Sequence, residues 1–119
     1  MIVFVSYARR DNSPAALRAI ETVVADLGTP YIDDMHGCES ADRHVAVTEA
    51  LQAASIFVGV VTPSYLHTHW TREEFALAVR RKLPIIALLS DRRLVDSTSP
   101  AWPWREATAS SERVVIGSH

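Results

Sequence analysis

The stretch IFVGVVTP, residues 56–63, decides the fold class, because it contains the clearest strand in the sequence and ends in turn-forming residues. An unbroken apolar run of this kind is typical of a strand buried on both faces of a parallel sheet. The runs IVFV at residues 2–5 and PIIAL at residues 84–88 have the same character. All three runs are therefore predicted to be buried parallel strands.

Amphipathic helices are predicted in the intervals between these strands. The first helix has Asn12 or Ser13 as its candidate N-cap and Gly28 as its stop signal. The second begins at about His44, and the third ends at about Lys82. The remaining elements predicted are short strands at residues 31–33 and 114–116 and a loop at residues 97–103.

Strands that alternate with helices at this spacing predict right-handed crossovers and a parallel sheet with helices on both faces. In such sheets ligands bind beyond the carboxyl ends of the strands, where the strand order reverses. The segments that follow the strands, residues 6–11, 33–42 and 62–74, are therefore the candidate site. We expect residues 1–119 to form one domain.

Composition excludes several classes of partner and location. With 119 residues, 48% of them hydrophobic, the chain can bury a core without metal or disulfide support. Twelve basic and fourteen acidic residues give a net charge of -2, and the scattered basic residues disfavour nucleic acid. The single cysteine, Cys38, favours a reducing cytoplasm. No apolar stretch approaches the roughly twenty residues of a membrane-spanning helix, so we expect no membrane partner.

Three familiar classes of α/β protein require residues that this chain lacks. A phosphoacceptor receiver needs acidic residues after the first strand and an Asp closing the third, where this chain has Ser6-Tyr7 and Val61-Thr62. P-loop and dinucleotide-binding proteins need glycines directly after the first strand, and residues 6–11 contain none.

Two boxes of aromatic and polar residues follow the first and third predicted strands. Residues 4–11 read FVSYARRD, and residues 62–75 read TPSYLHTHWTREEF. Together they resemble the Toll/interleukin-1 receptor (TIR) domain family. Its first box is Phe-Ile-Ser-Tyr-like with basic and acidic residues after it, and its second has Ser-Pro, a Tyr and Ser-x-Trp-x-x-x-Glu-Leu. The buried strand at residues 84–88 adds to the resemblance.

The resemblance implies an α/β fold, a flavodoxin-like three-layer sandwich. Its five-stranded parallel sheet has the order 2-1-3-4-5, with helices on both faces. The likeness spans about residues 2–88. Within that span Thr68 replaces the usual Ser, Phe75 replaces the usual Leu, and residues 33–42 lack the Pro often seen there.

Many TIR domains cleave the nicotinamide–ribose bond of NAD+ with the Glu of the Trp-x-x-x-Glu box, and the resemblance places that Glu at Glu74. Nicotinamide bound to ribose is a pyridinium, so it departs neutral and needs no general acid, unlike the leaving group of an ordinary glycosidase. One anion can stabilise the positive sugar. Trp70 and Glu74 are four residues apart, on one face of a helix, so both can address one cleft.

Two other interpretations of this segment stay open at the level of sequence. Residues 71–74, Thr-Arg-Glu-Glu, also fit a capping box in which Glu74 reaches back to the backbone of Thr71. Glu73 is the competing acid, and a helix turns roughly 100° per residue, so both acids cannot face the cleft equally. We choose Glu74 from its spacing to Trp70.

The predicted substrate-binding residues are Tyr7, Arg9, Asp33, Asp34 and Trp70. Tyr7 can stack on a base, and the Arg9 guanidinium can bind pyrophosphate through two hydrogen bonds. Asp33 and Asp34 can hold ribose hydroxyls, although Asp is also a common turn residue. Each of the five has a plain alternative as a packing or loop residue.

No metal site and no cofactor are predicted, and NAD+ enters as the substrate. His67 and His69 are two residues apart, so on a helix they point in different directions, and no cluster of ligands completes a site.

Three functions remain as hypotheses. The leading one is a cytoplasmic NAD+ nucleosidase that releases nicotinamide and ADP-ribose or cyclic ADP-ribose in defence or virulence signalling. The family implies dependence on self-association, with residues 33–42 of one copy meeting the cleft of another. The alternatives are a non-catalytic module that binds another TIR protein and a nucleoside deoxyribosyltransferase relative. Arg outnumbers Lys eleven to one, a compositional association with GC-rich bacterial genomes.

Overall fold

The computed structural model of the protein describes residues 1–33 and 43–105, and for Arg43 and His44 it describes the backbone alone. Over these residues the chain alternates strands with helices, as the apolar runs predict. The elements are β1 (Ile2–Ser6), α1 (Pro14–Val24), β2 (Thr29–Tyr31), α2 (Arg43–Ala53), β3 (Ile56–Val60), α3 (His69–Arg80), β4 (Ile85–Leu88) and β5 (Leu94–Val95), with a 3-10 turn at Arg9–Asp11.

The sheet has the order β2-β1-β3-β4-β5, which confirms the predicted topology. Strands β1 to β4 pair in parallel. The prediction of an entirely parallel sheet is wrong at one edge, because β5 runs antiparallel to β4. Only residues 89–93 join these two strands, and a parallel pair needs a crossover of a dozen or more residues. The strand predicted at residues 114–116 lies outside the described residues.

Helices cover both faces of the sheet, as predicted. The face under α1 is an aliphatic cluster around Val3, Val5 and Val58. The face under α2 and α3 is aromatic and is built around Phe4 and Phe57, whose rings stack 5.8 Å apart between centroids. Residues alternate between the two faces along each strand, so the even-numbered positions of β1 face α2 and α3.

The start of α1 agrees with the sequence, and its end does not. Ser13 is the N-cap, since its hydroxyl accepts from the Ala16 backbone N–H at 3.1 Å. The helix ends at Val24 rather than at Gly28. Gly28 serves another purpose, because a Cβ there would lie 2.8 Å from the Met1 carbonyl oxygen. The glycine therefore permits the close approach that joins the start of β2 to β1.

Two tryptophans from the segment after β5 complete the aromatic face. Trp102 and Trp104 are both buried, and their rings meet edge to face at 5.2 Å. Trp104 lies over Gly59 of β3, where a Cβ would stand 2.5 Å from the indole Cη2. The loop predicted at residues 97–103 is thus a series of turns that places these side chains in the core.

None of the described helices has the length and apolar character that a bilayer crossing requires.

Candidate active site

Helix α3 begins at a pair of threonines. Thr68 is the N-cap, and its hydroxyl accepts from the Thr71 backbone N–H at 3.1 Å. The two threonine hydroxyls lie 2.7 Å apart. The capping-box alternative for residues 71–74 is therefore wrong, because the helix begins nearly one turn earlier, at His69. Glu74 lies in the second turn of α3 and is not the capping residue.

Glu74 turns toward the sheet rather than toward solvent. The residue is 9% exposed, and the Ser6 hydroxyl donates to Glu74 Oε1 at 2.7 Å. Ser6 ends β1 and shares a sheet face with Phe4, two residues earlier. Strand β1 lies between β2 and β3, where the strand order reverses. The carboxylate therefore lies at the carboxyl end of a central strand, where α/β sheets bind ligands.

Tyr65 extends this contact by one further hydrogen bond. Its buried phenol donates to Ser6 Oγ at 2.9 Å, while Ser6 donates to Glu74. Burial raises the pKa of Tyr65 far above its ordinary value, and the nearby charge of Glu74 raises it further. The phenol therefore stays protonated and remains a donor. We call these three residues the Tyr65–Ser6–Glu74 chain.

A narrow pocket between α2 and α3 borders Glu74. Trp70 lines the same pocket one helical turn before Glu74. The Trp70 ring also packs against the aromatic core. The volume is about 40 Å³, enough for a few water molecules and too small for a ribosyl group. The lining residues are Val47, Thr48, Leu51, Trp70, Glu73, Glu74 and Leu77.

Glu73 differs from its neighbour in surroundings. Its side chain is 49% exposed, and its Oε1 lies 3.0 Å from His69 Nε2, one turn earlier on the helix surface. Glu73 also reaches the edge of the pocket. Of the two acids, Glu74 is the one that the fold buries at the end of β1.

Arg9 and Asp33 come together where β1 and β2 end. Arg9 Nη2 lies 3.8 Å from Asp33 Oδ2, and the Tyr31 hydroxyl donates to Asp33 Oδ1 at 3.3 Å. The Arg9 side chain is 56% exposed and that of Asp33 13%, so the aspartate is the better fixed of the pair. A guanidinium beside a carboxylate at this edge can bind a phosphate and a hydroxyl of one ligand.

The TIR domain family model matches residues 3–115, which include both sequence boxes and every described strand except the first residue of β1. The chain belongs to the TIR domain family. No curated protein and no solved structure matches it closely enough to count as a relative. TIR domains act in signal transduction and generally self-associate or bind other TIR domains. The family contains both NAD+-cleaving and non-catalytic members.

One of the predicted binding residues packs away from this site, and another lies outside the described part of the TIR domain. Tyr7 is buried in the aliphatic cluster under α1, on the opposite sheet face from Ser6. A ring packed there offers little surface for stacking on a base, so we assign Tyr7 to the core. Asp34 lies outside the described residues, as do the rest of residues 34–42.

Asp11 is a site residue whose role the sequence did not reveal. Its carboxylate accepts from the Ser64 backbone N–H at 2.7 Å and from the Ser64 hydroxyl at 3.1 Å. The Thr62 side chain and these Ser64 donors hold the pKa of Asp11 below its usual value. Asp11 thereby joins the segment after β1 to the segment after β3. The sequence signal that could have indicated this role is the position of Asp11 as the last residue of the first box.

Metal ligands do not gather within residues 1–33 and 43–105 of this TIR domain, where no three His, Cys, Asp or Glu side chains could share an ion. His69 contacts Glu73 instead. The absence of a resident cofactor remains a prediction.

Proposed function

We propose that this TIR domain cleaves the nicotinamide–ribose bond of NAD+ and releases nicotinamide, leaving ADP-ribose or cyclic ADP-ribose. One observation carries the proposal. The Glu74 carboxylate, 9% exposed and held by Ser6, lies at the carboxyl end of β1 beside the Trp70 pocket. This is an anion fixed at the edge where α/β sheets bind ligands.

The reaction asks little more of the protein than such an anion. As the bond between ribose and the pyridinium nitrogen breaks, its electron pair returns to the ring, and nicotinamide leaves neutral. The positive charge then rests on the sugar, which a fixed carboxylate stabilises more strongly when water is excluded. Water attack gives ADP-ribose, and attack by the adenine of the same molecule gives the cyclic product.

The remaining binding roles follow from position. Arg9 is proposed to bind the pyrophosphate, and Asp33 the hydroxyls of a ribose. Trp70 is proposed to form an aromatic wall one turn from Glu74. Asp34 retains its proposed role beside Asp33.

Self-association supplies what the single copy lacks. The pocket holds about 40 Å³, so a ribosyl group requires α2 and α3 to separate. We propose that contact with a second copy, through residues 33–42, favours the open pocket and thereby activates the domain. Residues 33–42 directly precede α2, so a contact there would act on one wall of the pocket.

The test measures nicotinamide release by chromatography from concentrated domain and NAD+. Glu74→Gln keeps the size of the side chain and removes its charge, and Glu73→Gln is the matched control one residue away. We expect Glu74→Gln to lose at least about 100-fold in rate, the loss typical of removing one electrostatic stabiliser. Glu73→Gln should stay within about threefold of the wild type. Equal rates for the wild type and Glu74→Gln would reject the assignment.

The small pocket also favours a second candidate, a non-catalytic module that binds other TIR domains. It predicts that NAD+ stays intact even when the domain is artificially clustered, while the domain still associates with itself or another TIR protein. Deoxynucleosides form a further arm of the same assay. Base release from them without nicotinamide release would instead indicate a deoxyribosyltransferase.

A further inference from the structure

We infer that Ser6 and Tyr65 are positioning residues, which orient the Glu74 carboxylate through two buried hydrogen bonds. The inference rests on the proposed NAD+ cleavage. Its evidence is the Tyr65–Ser6–Glu74 chain, with distances of 2.9 Å and 2.7 Å between residues far apart in sequence. Neither Ser6 nor Tyr65 touches the substrate in this scheme; both act through Glu74.

The direction of the two hydrogen bonds in the Tyr65–Ser6–Glu74 chain follows from the protons that each group carries. The buried Tyr65 phenol stays protonated and donates a hydrogen bond to Ser6 Oγ. The Ser6 hydroxyl has a single proton. Its oxygen accepts the hydrogen bond from Tyr65, so its own proton is available for the hydrogen bond to Glu74. Glu74 Oε1 must therefore act as the acceptor. In the proposed reaction this acceptor oxygen belongs to the carboxylate that stabilises the sugar cation.

Orientation matters because a glutamate side chain is long and flexible. Its ordering on burial costs more entropy than that of a short side chain. Ser6 is rigid by comparison, since it belongs to β1 and is almost fully buried between paired strands. A hydrogen bond from the strand to Oε1 fixes the carboxylate before the substrate arrives. Displacing a reacting group by about 1 Å can cost about 100-fold in rate.

Tyr65 is itself held by its surroundings. Its ring contacts that of Trp104, with 5.2 Å between centroids. Gly59 leaves room for the phenol, because a Cβ there would lie 2.8 Å from the Tyr65 hydroxyl oxygen. The preceding residue, Ser64, is anchored to Asp11 by two hydrogen bonds. The ring contact, the space left by Gly59 and the anchored neighbouring residue together place a hydroxyl group whose partner is Ser6.

The test compares kcat and KM for NAD+ cleavage in Ser6→Ala, Tyr65→Phe and the double variant. We expect Ser6→Ala to lower kcat about 10- to 100-fold with KM within about threefold, because orientation acts on the transition state. Tyr65→Phe should lower kcat about 2- to 10-fold, the value of one neutral hydrogen bond. In the Ser6→Ala background, Tyr65→Phe should add less than about twofold, since its effect passes through Ser6.

Two further variants separate positioning from folding. Ser6→Thr retains the hydroxyl and should recover most of the kcat that Ser6→Ala loses. If the added methyl group prevents folding, Ser6→Cys is used in place of Ser6→Thr. Ser13→Ala removes the N-cap of α1, away from the site, and serves as the stability control. Its kcat should equal that of the wild type even where its thermal stability falls as far as that of Ser6→Ala.

Three results overturn the inference while leaving the proposed function intact. They are wild-type kcat in Ser6→Ala when Glu74→Gln is inactive, fully additive effects of Ser6→Ala and Tyr65→Phe, and an equal loss of kcat in Ser13→Ala. A wild-type domain that leaves NAD+ intact when clustered overturns the proposed function itself, and the inference with it.

Discussion

Glu74 is a charged side chain in a place where charge is costly. A carboxylate removed from water loses hydration that only hydrogen bonds or opposite charges can replace. The described contacts supply the Ser6 hydroxyl, with Tyr65 behind it. A protein that needed only packing at this point of α3 would be served as well by an apolar residue. We therefore expect the carboxyl group of Glu74 to have a use that stability alone does not explain.

Stability measurements on Glu74→Gln distinguish a functional acid from a structural one. The amide keeps the shape and an oxygen that can accept from Ser6, and it removes the cost of burying charge. We expect the free energy of unfolding in urea to stay within about 1 kcal/mol of the wild type. Glu73→Gln on the helix surface is the control. A loss of about 3 kcal/mol or more in Glu74→Gln would mean that the carboxylate supports the fold.

Gly59 is the residue at which the core and the candidate site meet. A Cβ there would stand 2.5 Å from Trp104 Cη2 and 2.8 Å from the Tyr65 hydroxyl oxygen. We expect Gly59→Ala to lower the free energy of unfolding by about 1–3 kcal/mol, the usual cost of overpacking. Nicotinamide release should fall as well, because Tyr65 is displaced. Unfolding in urea and the chromatographic assay measure the two effects.

A relieving variant tests the cause of the Gly59 effect. Trp104→Phe shortens the ring that lies over Gly59. It should therefore cost less in the Gly59→Ala background than in the wild type. If the two substitutions add independently, the contact with Trp104 is not the reason for the loss.

At the scale of elements, Asp11 couples the segments that follow β1 and β3. Its pKa lies below the ordinary 3.8, chiefly because of the Thr62 side chain and the Ser64 backbone N–H. A carboxyl whose pKa is lower in the folded state stabilises the fold above its unfolded pKa, and the contribution is lost as pH falls through the folded pKa. Asp11→Asn should therefore be less stable than the wild type at pH 7. The difference should shrink as pH falls below about 4.

Urea midpoints measured from pH 7 to pH 3 check this dependence. Asp26→Asn removes the same charge from an exposed position after α1 and serves as the control. A wild-type advantage over Asp11→Asn that stays constant or grows toward pH 3 would contradict the proposed coupling.

Elements were predictable from sequence where a local pattern specifies them. The apolar runs of β1, β3 and β4 gave those strands to within about one residue, because continuous apolar residues have one stable location in an α/β sheet. The start of α3 was not predictable in this way, because residues 71–74 match a capping box although the N-cap is Thr68. β5 has two residues and no period, so only its pairing with β4 defines it.

For the candidate site, the sequence offers a choice of acid but no indication of the residues that contact it. Spacing to Trp70 selected Glu74 over Glu73, and that choice stays a prediction; the structure shows that Glu74 is buried and that Glu73 is half exposed. The contacts of Glu74 with Ser6 and of Ser6 with Tyr65 join residues 68 and 59 positions apart. No periodicity within one helix or strand reports such pairs. They follow from the sheet order, which brings the ends of β1 and β3 together.

At the scale of the whole molecule, the small pocket and the self-association that is general among TIR domains predict that activity depends on protein concentration. A pocket of about 40 Å³ is closed to a ribosyl group, so activity should depend on how often α2 and α3 are held apart. If a second copy holds them apart, nicotinamide released per mole of domain should rise in proportion to concentration while most copies are single. It should reach a plateau once they are assembled.

Fusion to a constitutive oligomer provides the sharper version of this test. A short flexible linker raises the effective concentration to the order of millimolar, so the fused domain should reach the plateau rate when the protein itself is dilute. A monomeric partner on the same linker is the control for fusion, and clustered Glu74→Gln is the control for catalysis. A rate per mole that is constant over about a 100-fold range of concentration, and equal in both fusions, would mean that one copy opens its own pocket. The contact between copies would then have no part in the reaction.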